Sequence, residues 1–177
     1  MEVLEAIRTR RSIRSFKAKP ISDEEAIKIL EAARWAPSGG NKQPWTFVYV
    51  KDPEVLRMVK NCSPGFYGEA AAAIVIGIKG RPRETALLDV GFAAENICLA
   101  AHSLGIGSCP IASFTKEAIR MVLNAPEDWE PVLIISLGYP DEIPKPPPRK
   151  PLSELVYLNF FGEKWRELEG RRDEERA

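Results

Sequence analysis

"TALLDVGFAAENICLAAHSL", Thr85 to Leu104, is the stretch on which the fold turns. Leu87, Leu88, Val90, Phe92, Ala93, Ala94, Ile97, Leu99, Ala100 and Leu104 leave it no broad polar face at helical spacing. A helix that is apolar on most sides has to be covered, in a core or in an interface between subunits.

Short apolar runs on either side supply the material to cover it. "WTFVYV" (Trp45 to Val50), "AAAIVIGI" (Ala71 to Ile78), the start of "GIGSCPIASF" (Gly105 to Phe114) and "PVLIISLGY" (Pro131 to Tyr139) read as strands. Residues 2–9 carry Val3, Leu4 and Ile7 at helical spacing. "ISDEEAIKILEAARWAP" is a second helix: Ser22 caps it, Glu25 stands at capping-box spacing, and Pro37 marks its end. Its Ile27, Leu30 and Trp35 lie roughly on one face. Asp52 and Pro53 start a short helix, and Thr115 caps another. "PDEIPKPPPRKP" is an extended connector. The segment from Leu152 is helical in parts, and the charged tail after about residue 168 is expected to fray. Helices and strands alternate too irregularly for a doubly wound sheet. The reading is one α+β domain over 1–177, a sandwich with one main sheet and a central buried helix.

Composition removes several function classes. Twenty-five basic residues balance 25 acidic ones, so the chain is not built to coat nucleic acid. Three cysteines without CxxC argue for a reducing compartment and against a disulfide framework. A single histidine leaves little for a multi-histidine metal site, and none is expected. "MEVLEAIRTRR" is not a signal peptide, and "AAAAIVIGI" is too short to span a bilayer, so a cytoplasmic protein without membrane partners is expected. No Walker loop is present and no GxGxxG follows a strand.

Against that neutral background, "RTRRSIRSF" (Arg8 to Phe16) holds four arginines and no acid. In an extended segment Arg10, Ser12 and Arg14 share one side. Guanidinium groups and a hydroxyl suit a phosphate. A solvated basic loop following a helix C-terminus would carry the same residues. "APSGGNKQPW" (Ala36 to Trp45) offers neutral donors and acceptors on Ser38, Asn41 and Gln43, beside glycines that permit close approach; ordinary turn chemistry would also account for it. Prolines hold Arg149 and Lys150 in a stiff segment that could equally be a linker. The loop "KNCSPGFYGEA" could cover an acceptor pocket with Phe66 and Tyr67, or be a surface turn with aromatic anchors. His102 and Cys109 read as packing residues more readily than as catalytic ones.

"RRSIRSF", "APSGGNKQPW", "DVGFAAENICLAAHSLGIGSC" and "PRKPLSELV", in this order and at these intervals, resemble the nitroreductase family of FMN-dependent oxidoreductases over nearly the whole chain. The resemblance implies an α/β sandwich with a mixed, mainly antiparallel sheet, built as an intertwined homodimer with FMN at the interface. It implies that Arg10 and Ser12 hold the 5′-phosphate with Arg11 beside them. Arg149 and Lys150 complete that site, and Arg14 lies near N1 and O2 of the flavin. Pro37, Ser38, Asn41 and Gln43 would line the ring, often from the partner subunit, and Pro110, Ile111, Ala112 and Ser113 would pass near N5. Many relatives have Glu-Gly where this chain has Ala112-Ser113. The implied activity takes hydride from NADH or NADPH and reduces a small flat acceptor, nitroaromatic- or quinone-like, by a ping-pong scheme. Dehalogenation, another small-metabolite redox step, and passive flavin binding are the alternatives.

Overall fold

Four strands make the central sheet in the order β1-β2-β4-β3: β1 (Trp45–Val50), β2 (Ala72–Lys79), β3 (Gly107–Ile111) and β4 (Trp129–Gly138). Every neighbouring pair is antiparallel. Among the described residues, the parallel element expected of a mixed sheet enters only as an isolated bridge between Ser12 and Ser108. The computed structural model describes residues 1–80 and 84–168, so the expected fraying after about residue 168 lies outside the described residues. The chain divides into two units, Met1–Pro144 and Lys145–Ala177.

In the first unit, β2 is buried on both faces, as its unbroken apolar run requires. Ile74, Ile76 and Ile78 face one cluster, and Ala73 and Val75 the other. The first cluster packs helices α2 (Asp23–Arg34) and α4 (Glu84–Ser103) on the sheet. The second holds residues from α3 (Pro53–Asn61) and α5 (Lys116–Val122), together with Phe66 and Trp129. Ile76 and Ile97 are fully buried. Truncating either to alanine costs about 2–5 kcal/mol.

The anticipated caps form at α2 and α3. Ser22 Oγ accepts from Glu25 N at 3.3 Å while Glu25 Oε2 accepts from Ser22 N at 2.9 Å. Asp52 Oδ1 accepts from Glu54 N and Val55 N, both at 3.0 Å. Thr115 stands at the N-cap of α5, but its side chain makes no cap bond.

The apolar face read for α2 is not the one it buries. α2 buries Ala26, Ile29 and Ala33, with Leu30 beside them, while Ile27 and Trp35 are exposed. In helix α1 (Val3–Thr9) only Ala6 is buried; Val3, Leu4 and Ile7 point outward. Leu87, Leu88 and Phe92 on α4 are exposed as well. Alanine fills the inner faces because helices lie close there, and the larger apolar side chains form an outer surface.

The second unit carries a proline-rich extended stretch, the short helix α6 (Leu152–Leu155) and a bridge between Tyr157 and Lys164. The rings of Tyr157 and Phe161 pack at 4.6 Å. Among the described residues no helix is long and apolar enough to cross a membrane.

Candidate functional site

The segment after α1 lies along the β3 edge of the sheet. Ser12 bridges Ser108, and Ile13 N donates to Ser108 O at 2.9 Å. Ile13 is buried, and it fits because residue 107 is glycine: a side-chain carbon there would come within 2.6 Å of Ile13 Cγ1. With Ile13 fixed inward, alternation sends Ser12 and Arg14 the other way. Arg14 is exposed, and Arg10 and Ser12 are half-buried.

The arginines are not equivalent. Arg10 Nε pairs with Glu95 Oε1 of α4 at 3.2 Å, which fixes the side chain. Its two terminal amino groups have no hydrogen-bond partner among the described residues. Arg11 Nη1 donates to Arg8 O at 2.7 Å and to Arg10 O at 2.8 Å, closing the C-terminus of α1. Arg11 is thus committed to its own backbone, and Arg10 and Ser12 are the better placed pair for an anion.

Beyond Ser108, β3 runs through Cys109 and Pro110 to Ile111, followed by exposed Ala112 and Ser113. Ile111 is buried in the second cluster, so only its backbone can meet a ligand there. Burial raises the Cys109 thiol pKa, and the nearby Arg14 guanidinium and Ser12 hydroxyl offset part of that shift. Cys98, deeper in α4, is pushed up to about 11 by burial. Both stay neutral thiols near pH 7, in keeping with packing roles. His102 is likewise structural: Thr9 Oγ1 gives its proton to Glu5 O at 2.7 Å and so accepts from His102 Nε2 at 2.8 Å.

The loop Cys62–Gly68 closes the far end of this line. It is pinned at one end by Thr115 N donating to Cys62 O at 3.0 Å. A side-chain carbon at Gly65 would overlap Ser113 Oγ, and one at Gly68 would overlap Arg14 O. The loop therefore sits directly on both. Phe66 is 5% exposed, inside the second cluster, which corrects the expectation that it stacks on a substrate: it is the anchor of the loop. Tyr67, 57% exposed, is the aromatic left at the surface.

The stretch Pro37–Gln43 occupies the opposite edge of the sheet, leading into β1. Pro37, Asn41 and Gln43 are exposed and Ser38 is half-buried. Three strand spacings separate β1 from β3, roughly 14 Å. One chain therefore does not bring this loop together with Arg10, Ser12 and Arg14. Arg149 and Lys150 lie exposed in the second unit.

The donor set along β3 fits FMN. Arg10 and Ser12 offer charge-assisted and hydroxyl contacts for a phosphate. Four extended residues further, roughly 13 Å, Arg14, Ala112-Ser113 and Tyr67 border an open wall suited to a flat ring.

Comparison with known proteins identifies the family and the fold. The model of the Nitroreductase family matches residues 7–65 and 57–139. An Archaeoglobus fulgidus protein, provisionally named NADH dehydrogenase/NAD(P)H nitroreductase, is 42% identical over 154 residues, covering 80% of this chain and 87% of its own. A Vibrio harveyi NADPH-flavin oxidoreductase is 29% identical, covering 90% and 75%. The solved structure of an FMN-dependent nitroreductase from Clostridium difficile superposes with a TM-score of 0.81 at 32% identity, covering 90% of this chain and all of that one.

Proposed function

Because the chain belongs to the nitroreductase family, we propose that it is an FMN-dependent oxidoreductase that takes hydride from NADH or NADPH and passes it to a small flat acceptor. The observation that carries this reading is the line of donors along β3: Arg10 and Ser12 at one end, and Arg14 with the Ala112-Ser113 turn at the other.

Bound FMN would supply the redox chemistry, accepting hydride at its ring and delivering it onward. The residues of the chain do the rest. Arg10 and Ser12 hold the phosphate. Arg14 presents positive charge to the side of the ring where negative charge gathers on reduction. Ala112-Ser113 passes the reactive edge, and Tyr67 walls the acceptor space. Phe66 in the core and the contact of the loop with Ser113 make that wall fixed, with no lid that must open. Donor and acceptor then use the same open face in turn, a ping-pong order.

The functional unit in this reading is a homodimer. Val3, Leu4 and Ile7 of α1, Ile27 of α2 with Trp35 at its C-cap, and Leu87, Leu88 and Phe92 of α4 are too many large apolar groups to leave in water. A second copy covering them would also bring its own Ser38, Asn41 and Gln43 to the β3 edge.

The test is an anaerobic absorbance spectrum of the protein with FMN, before and after each nicotinamide. Flavin bands that shift on binding and bleach with NADH or NADPH are expected. Binding without bleaching would reduce the protein to a passive flavin carrier, and no binding would mean that the arginines serve another anion.

A further inference from the structure

Helix α4 carries two polar side chains on its covered side that the flavin reading leaves unused. Asp89 is 7% exposed and Asn96 is half-buried. Seven residues, about two turns, separate them, so both project from one face. Each reaches the same connection. Asn96 Nδ2 donates to Ala32 O at 3.0 Å, near the end of α2, and Asp89 Oδ1 accepts from Gly39 N at 3.1 Å, inside the loop. Ala33 and Ala36, between those two anchors, are buried in the same cluster as Ala93.

The loop needs such restraint. Gly40, Asn41 and Gln43 have φ of 59°, 54° and 47°. Glycine takes the left-handed region freely and asparagine tolerates it, but glutamine enters it only when its surroundings impose it. The other bonds of the loop are internal: Asn41 N donates to Ser38 O at 2.9 Å, Gln43 N to Ser38 Oγ at 3.0 Å, and Gln43 Nε2 to Asn41 O at 3.3 Å. Among the described residues, the bond to Asp89 is the one hydrogen bond from this loop to another element. A carboxylate is the strongest acceptor a side chain can offer to a backbone N–H.

We propose that Asp89, with Asn96 behind it, is a positioning residue that sets Ser38–Gln43 in the shape in which the loop meets the flavin ring, without itself touching the ring. This rests on the FMN reading, but its restraint of the loop is measurable without FMN. The full chain is compared with Asp89→Asn, which keeps an oxygen acceptor for Gly39, and Asp89→Leu, which keeps the branched shape and has none; Asn96→Ala is the companion. Two readouts are taken: FMN affinity from fluorescence quenching, and amide hydrogen exchange of residues 39–43 in the FMN-free protein.

The expected result is that Asp89→Leu weakens FMN about 10-fold or more and speeds loop exchange by a similar factor, the size of one lost buried hydrogen bond. Asp89→Asn stays within about 3-fold of the parent, and Asn96→Ala falls between. Unchanged affinity and exchange in Asp89→Leu would overturn the proposal. So would Asp89→Asn falling as far as Asp89→Leu, because charge and not acceptance would then be the requirement. Should Asp89→Leu fail to fold, Asp89→Asn and Asn96→Ala decide: Asn96→Ala matching the parent in both readouts overturns the proposal. A parent protein that ignores FMN would refute the flavin reading, while the exchange comparison still decides the restraint.

Discussion

At the β3 edge, Arg10 to Arg14 are held by backbone: a bridge from Ser12 to Ser108, a bond from Ile13 N, and Ile13 itself sunk against Gly107. At the β1 edge, Ser38 to Gln43 are held by a side chain reaching over from α4, and their own backbone runs through left-handed conformations. The first edge borrows the rigidity of the sheet. The second is a shaped loop whose form depends on a few polar contacts. An anchor for a charged group tolerates little movement, and sheet registration provides that stability. The left-handed residues of the loop give it a backbone path that a regular element cannot supply.

The largest effect is expected from undoing the sheet-held side. Gly107→Val drives a side chain into Ile13, and overpacking of this kind costs about 1–3 kcal/mol. At this chain length that is a fall in melting temperature of about 2–12 °C. FMN affinity should fall with it, and a thermal melt beside an FMN titration reads both. Next comes Arg14→Ala, which removes charge and leaves the backbone alone. The midpoint potential of bound flavin should drop by about 20–40 mV, equivalent to about 1–2 kcal/mol for a two-electron couple. An unchanged potential would remove Arg14 from that role.

On the loop side, Asn41→Gly separates shape from contact. Glycine accepts φ of 54° without strain, so stability should hold within about 0.5 kcal/mol. FMN affinity should still fall several-fold, because the amide is gone. Parallel losses in stability and affinity would mean that Asn41 only shapes the loop.

The smallest effect lies at the far end of α2, the helix that leads into the loop. Glu25 accepts from Ser22 and from the Tyr139 hydroxyl at 2.6 Å, and these bonds hold its carboxyl at about 2 against an ordinary 4.5. A depressed folded pKa means that the stabilisation is complete above about 4.5 and is lost as pH falls toward about 2. Melting temperatures taken across that window should fall more steeply in the parent than in Glu25→Gln. Equal slopes would show that the capping box adds nothing to the acid sensitivity.

Much of this was legible in the residues, and the reasons for the rest are specific. The strands and α4 declared themselves through apolar runs that no surface element carries. The arginine segment stood out because a neutral chain had concentrated charge without acid. Which faces of α1 and α2 turn inward was not legible, because Ala6, Ala26 and Ala33 give a weak hydrophobic signal while the outward Ile7, Ile27 and Trp35 give a strong one. Phe66 and Tyr67 are adjacent and chemically alike, and only the packing of the loop on Ser113 separates anchor from wall. Arg11, which the resemblance set beside Arg10 and Ser12, has its guanidinium closing a helix end, a use that no residue pattern announced. The bond from Asp89 to the loop was missed, although a signal was available: Asp89 and Asn96 stand seven apart, on the helix face that carries Val90, Ala93 and Ile97.

The placement of the two half-sites on opposite edges has a genetic consequence. In the two-fold pair proposed above, each cavity would draw Arg10, Ser12 and Arg14 from one copy and Ser38, Asn41 and Gln43 from the other. A chain that has lost its β3-edge anchor and a chain that has lost its β1-edge loop would each be inactive as a pure pair. Mixed, they form hybrids in which one cavity collects both lesions and the other collects neither. Two dead alleles would then complement each other, with half the cavities of every hybrid restored, whereas two alleles damaged on the same edge never would.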